Sequence, residues 1–131
     1  MTVFVDTSAI YALFDGNDDM NARAAKLWEG LISRQDNLVS TNYVMTELFT
    51  LLNQRLGLAA ARMFQEDAVP LISIEWVDES LHHAGVAAML AAGRKKLSLV
   101  DCVSFDVMRS LGIRSVFCFD RHFKEQGFDC L

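Results

Sequence analysis

Apolar residues along the chain follow two rhythms, short unbroken runs and longer stretches at helical spacing. Val3, Phe4 and Val5 form the first run and predict a short buried strand, which Asp6 interrupts. Ile10, Leu13 and Phe14 resume at helical spacing, so residues 7–14 read as a short helix closed by the turn-forming DGNDD of 15–19. Residues 20–34 predict an amphipathic helix with Ala24, Leu27, Trp28, Leu31 and Ile32 on one stripe. NLVST (37–41) reads as a second strand, and 43–56 as a helix ended by Gly57. Another helix is expected over about 58–67, after which Pro70 introduces the strand LISIEWV (71–77). Asp78 caps an alanine-rich helix reaching about Ala92, GRKK (93–96) follows, and Ser98 begins a helix that stops at Gly112. SVFCF (115–119) is a fourth strand, and FDCL (128–131) a fifth.

Strands that alternate with helices, and are continuously apolar, predict a parallel sheet covered on both faces. The expected class is α/β, a three-layer α/β/α sandwich around a mainly parallel sheet of four or five strands. One proline and seven glycines leave no linker or low-complexity tract, so residues 1–131 are read as a single domain. In open parallel sheets ligands bind at the carboxyl ends of the strands. Asp6 and Asp120 are both expected there.

Composition sharpens this reading. Hydrophobic residues make up 52% and mean hydropathy is +0.21, a surplus that suits a buried sheet and a subunit interface. No apolar stretch approaches the roughly 18 residues of a membrane span. The first residues enter a strand with no basic or cleavage-type region, which sets the expectation of a cytosolic protein. Cys102, Cys118 and Cys130 form no C-x-x-C pair and are read as reduced core residues rather than a disulfide framework or zinc site. A net charge of −5 does not suit strong nonspecific nucleic-acid binding, yet it leaves room for a nucleic-acid enzyme whose acids bind metal.

Four carboxylates carry the candidate chemistry. Asp6 and Asp120 each have a plain alternative as a helix cap, and Ser98 to Asp101 resembles a capping box. Glu47 has none: it lies mid-helix with Tyr43, Val44 and Leu51, and is expected to project inward with them. Asp101 shares a stripe with Leu97, Phe105 and Met108. A buried carboxylate needs a cation or takes up a proton, and no lysine or arginine is evident nearby. A shared divalent ion resolves all four, and oxygen ligands without histidine or cysteine suit Mg²⁺ or Mn²⁺ and phosphoryl chemistry. No Walker loop occurs, and Ser8 stands where an aspartyl-phosphate phosphatase would carry its second Asp. Metal-assisted hydrolysis by water remains.

VFVDTSAIYAL, TNYVMTELFTLL, LSLVDCVSFDVMRSLGI and VFCFDRHF, in this order, resemble the PIN-domain ribonucleases, especially toxins of the VapC type. The resemblance spans nearly the whole chain and implies a PIN-like fold. It implies Asp6, Glu47, Asp101 and Asp120 as the acidic site, one or two Mg²⁺ or Mn²⁺ ions, and Ser8 supporting the metal shell. It also implies an RNA substrate, hydrolysis to a 5′-phosphate and a 3′-hydroxyl, a small antitoxin partner and a homodimer. Asp6 and Asp101 are the first candidates for direct ligands, with Glu47 and Asp120 ligating or holding metal waters. Arg94, Lys95, Lys96 and Arg121 are candidate phosphate contacts, with solvated cations at a helix C-terminus as the alternative. His122 is read as a surface histidine, Asn42 as the cap of the Glu47 helix, and Trp28 and Trp76 as core. Two other readings stand beside the toxin: an RNA-processing nuclease without antitoxin, and a module that holds metal without turnover.

Overall fold

Val3, Phe4 and Val5 lose all contact with solvent in β1 (Thr2–Val5), as expected of an unbroken apolar run at the middle of a sheet. The computed structural model describes residues 1–131. After β1 come α1 (Thr7–Phe14), α2 (Asn21–Ser33), β2 (Asn37–Thr41), α3 (Asn42–Arg55), α4 (Leu58–Met63) and β3 (Ile72–Glu75). Then follow α5 (Glu79–Ala92), α6 (Leu99–Leu111), β4 (Ser115–Phe117), α7 (Arg121–Glu125) and β5 (Asp129–Cys130). The five strands are all parallel in the order β3–β2–β1–β4–β5, so the α/β sandwich is as expected.

Right-handed crossovers put α1 to α4 on one face and α5 to α7 on the other. The aromatic packing agrees: Trp28 of α2 stacks on Phe117, while Phe123 of α7 sits against Phe4 and edge-on to Phe105. The chain winds outward from β1 through β2 to β3, then returns beneath the sheet to start β4 on the other side of β1. The strand order therefore reverses between β1 and β4. A crevice opens at such a point beyond the carboxyl ends of the strands.

Several boundaries differ from the expectation, each for a tertiary reason. The helix expected over 58–67 ends at Met63; Phe64–Ala68 widens into a π turn that buries Phe64, and Val69–Leu71 tightens into a 3₁₀ turn at Pro70, which has no N–H to continue a helix. The strand expected over 71–77 keeps only Ile72–Glu75, because it forms the sheet edge and pairs with β2 alone. Trp76, read as core, is 70% exposed just past that edge. Thr41, rather than Asn42, caps α3 by accepting the Val44 N–H, and Asn42 instead accepts the Val77 N–H at 2.7 Å. Cys130 is exposed on β5, while Cys102 and Cys118 are buried as expected.

Candidate active site

Where β1 ends, the Asp6 N–H still donates to the Phe117 carbonyl at 3.1 Å, which holds the residue in register beside β4. Its side chain turns back to cap α1, with Oδ2 accepting the Ser8 N–H at 3.2 Å and the Ser8 hydroxyl at 2.8 Å. The same hydroxyl oxygen accepts the Phe119 N–H at 3.0 Å. Ser8 thus fastens the β1–α1 junction to the segment that leads into Asp120. Burial, with the Asp101 charge adding a smaller push, raises the Asp6 carboxyl to about 7 against the pull of the Ser8 bonds.

Asp101 enters from α6. Ser98 and Asp101 form a reciprocal capping box, the Ser98 hydroxyl accepting the Asp101 N–H and Asp101 Oδ2 accepting the Ser98 N–H. Burial raises the Asp101 carboxyl, and the neighbouring Asp120 charge adds to the rise. Asp120 caps α7 by accepting the His122 N–H at 2.8 Å on Oδ1. Since β4 stops at Phe117, Asp120 lies three residues beyond the strand rather than at its tip. Asp6 and Asp120 are helix caps and Asp101 completes a capping box, as the plain alternatives held, yet Asp101 and Asp120 also converge. A cap uses one oxygen of a group that has two.

His122 departs from its expected place on the surface. It is only 8% exposed, and Nδ1 lies 3.3 Å from Asp101 Oδ2 and 3.2 Å from Asp120 Oδ1. The first turn of α7 folds the ring back over the residue that caps it. Asp101, Asp120 and His122 each offer a ligand atom within 4.8 Å of one another. Around a six-coordinate ion with bonds of about 2.1 Å, ligand atoms stand roughly 3 to 4 Å apart, so these donors need only small side-chain movements. Crowded, desolvated carboxylates also gain most from a cation. The residues fit a divalent ion.

Asp6 and Glu47 stand outside that trio. Asp6 is coupled to it through the Asp101 charge. Glu47, expected to project inward, is half-buried at the border of the stripe, whose centre is Val44, Met45, Leu48 and Leu52. Of the expected phosphate contacts, Arg94 pairs with Glu125 at 3.0 Å and Arg121 with the same carboxylate at 3.6 Å. Arg94 holds the Glu125 carboxyl below its ordinary value. Lys95 and Lys96 are exposed beside them. The largest concavity, about 500 Å³, lies at the amino ends of the strands around Met1, Asn37 and Arg114, away from the carboxylates.

A parallel sheet whose order reverses between β1 and β4, with carboxylates gathered beyond that reversal, is the framework of an α/β protein with a metal-binding acidic site, as in PIN-type proteins. The sequence profile of the PIN domain matches residues 3–129, and the chain belongs to that family. It is 33% identical over 129 residues to the 23S rRNA-specific endonuclease VapC20 of Mycobacterium tuberculosis, in strains CDC 1551 / Oshkosh and H37Rv alike, across 96% of this chain and 95% of the relative. The crystal structure of M. tuberculosis VapC20, described as a Sarcin-Ricin loop cleaving toxin, superposes with a TM-score of 0.83 at 32% identity, covering 96% of this chain and 95% of that one.

Proposed function

We propose that this chain is a metal-dependent endoribonuclease, a single PIN nuclease domain over residues 1–131, and the toxin of a toxin–antitoxin pair. The observation that carries the reading is the convergence of Asp101, Asp120 and His122 within 4.8 Å, beside a buried Asp6 whose carboxyl is raised to about 7. Such a cluster costs folding free energy unless a cation occupies it. Asp101 and Asp120 hold the ion, Mg²⁺ or Mn²⁺, and His122 Nδ1 either completes the ligand set or brackets the two carboxylates. Bound there, the ion supplies positive charge to the phosphoryl oxygens and acidifies a water. Asp6 and Glu47 complete the acidic set, and one of the four acids orients the attacking water. Ser8 keeps Asp6 aimed and the Asp120 segment in register. Lys95, Lys96, Arg94 and Arg121 contact the RNA backbone.

The names of the relatives support a structured ribosomal RNA as substrate. A small antitoxin and a second copy of the chain are the proposed partners, and exposed Leu58, Met63 and Leu90 supply apolar surface for them. No helix is long and apolar enough to cross a membrane, and the proposed site of action is the cytoplasm, where the RNA substrate resides. The test is cleavage of an RNA pool that includes a sarcin–ricin-type hairpin, with Mg²⁺, with Mn²⁺ and with chelator, beside Asp101→Asn purified identically. Cuts should require metal and fall at least about 100-fold in the variant. Equal cutting by both proteins would assign the activity to a contaminant, and metal binding without cutting would leave a module that holds metal without turnover. Growth arrest on expression, relieved by an adjacent small gene product and absent with Asp101→Asn, separates the toxin from an RNA-processing nuclease.

A further inference from the structure

Cys130 sits in the two-residue β5 and pairs in register with Val116, so its side chain shares a sheet face with that of Val116, two residues before Cys118. The Cys118 and Cys130 sulfurs stand 3.1 Å apart, and all three cysteines are free thiols. A disulfide bond is about 2.05 Å long, so closure needs an approach of only about 1 Å. The two thiols differ in access. Cys130 is exposed, whereas Cys118 is 2% exposed, with its sulfur 3.7 Å from the Asp120 carbonyl oxygen. An accessible attacking thiol beside a buried resolving one is the arrangement of a reversible cysteine pair.

We propose that Cys118 and Cys130 are an oxidation site that closes to an intramolecular disulfide. The closed form staples the terminal strand to the segment carrying Asp120 and encloses α7, with His122, in a ring. The co-reactant is a low-molecular-weight disulfide such as oxidised glutathione. The Cys130 thiolate attacks one of its sulfurs, forming a mixed disulfide and expelling one thiolate. The Cys118 sulfur gives up its proton and attacks the Cys130 sulfur, forming the protein disulfide and expelling the second thiolate. Two protein thiols and one external disulfide thereby become one protein disulfide and two external thiols. A ring around the only connection between β4 and β5 restrains the unfolded chain, so the closed form is the more stable one.

The full reduced chain, exposed to oxidised glutathione, quenched in acid and digested with trypsin without reductant, should link residues 115–121 to residues 125–131. Dithiothreitol should undo the link, and the oxidised protein should melt roughly 5–10 °C higher than the reduced one. Cys130→Ser, an exposed change that leaves the core intact, should show neither effect. Recovery of both cysteines as alkylated thiols after oxidation and unfolding would overturn the proposal. So would a stable glutathione adduct on Cys130, or a link between two chains. None of these readouts depends on ribonuclease activity.

Discussion

In the proposed site, Asp6 is the residue at which burial and charge are most tightly linked. Its carboxyl is raised to about 7 from an ordinary 3.8, chiefly by desolvation, and Asp101 is raised in the same direction. The folded state therefore binds the Asp6 proton more tightly than the unfolded chain does. The stability this confers is present in full below about pH 4, is lost as pH rises toward about 7, and then levels off, on the order of 4 kcal/mol as an upper bound. With chelator present, the melting temperature should fall between about pH 4 and pH 7, and Asp6→Asn should flatten the fall, which calorimetry of both proteins will measure. A divalent ion competes with that proton, so stabilisation by Mg²⁺ should grow over the same interval. Parallel curves for wild type and variant would show that Asp6 does not carry the effect. His122 allows a second test at this scale. If Nδ1 serves to hold Asp101 and Asp120 in place, His122→Asn, which offers an N–H near the same position, should keep most of the activity. His122→Ala should lose roughly 10- to 100-fold in kcat with little change in KM for RNA. Equal losses in the two variants would favour direct ligation by the imidazole.

Among the elements, the α5–α6 pair shows how closely the scaffold of the site is packed. A Cβ on Gly85 would lie 2.5 Å from Val103 Cγ2 and 3.3 Å from Leu99 Cδ1, so α5 approaches the helix bearing Asp101 at the one residue that permits it. Gly85→Ala should destabilise by about 1–3 kcal/mol, although alanine is the better helix former by about 1 kcal/mol. Val103→Ala in the same chain should return part of that loss; strictly additive melting shifts would remove the steric explanation. The two helices themselves were readable from sequence, because Asp78 and Ser98 cap them and Gly93 and Gly112 end them in the left-handed conformation, all signals written within a few residues. β1 and β2 were readable for a similar reason, since central strands of a parallel sheet are apolar on both sides. The misread parts depend on distant partners. The edge position of β3 shortens it and exposes Trp76, and Pro70 with the burial of Phe64 reshapes the end of α4. At the candidate site, strand-end logic pointed to Asp6, and the stripe shared with Leu97, Phe105 and Met108 pointed to Asp101, for which the capping box was the plain alternative. The inward fold of His122 is set by a short α7 whose cap is itself one of the acids. An Asp-x-His step at a predicted strand-to-helix junction was the one local sign of it.

Across the whole molecule, an acidic protein of net charge −5 must hold an anionic substrate by local rather than overall charge. The positive rim is small, and part of it is already occupied. Glu125 pairs with both Arg94 and Arg121, which holds them against α7 but also neutralises them. Lys95 and Lys96 are exposed and form no ion pair, so on the proposed RNA path they are rim cations free to release counterions. Each phosphate contact on single-stranded RNA contributes about 0.7 to the slope of log affinity against log salt. Replacing both lysines by alanine should therefore lower that slope by about 1.4, measured as KM over a series of salt concentrations. The two side chains touch neither the carboxylates nor the core, so kcat at saturating RNA and the metal-induced melting shift should be unchanged. A variant with the wild-type slope would move the RNA path off this rim. A variant that also loses its metal response would mean that the loop before α6 is part of the metal site's scaffold, through the capping box at Ser98, rather than a contact for the substrate.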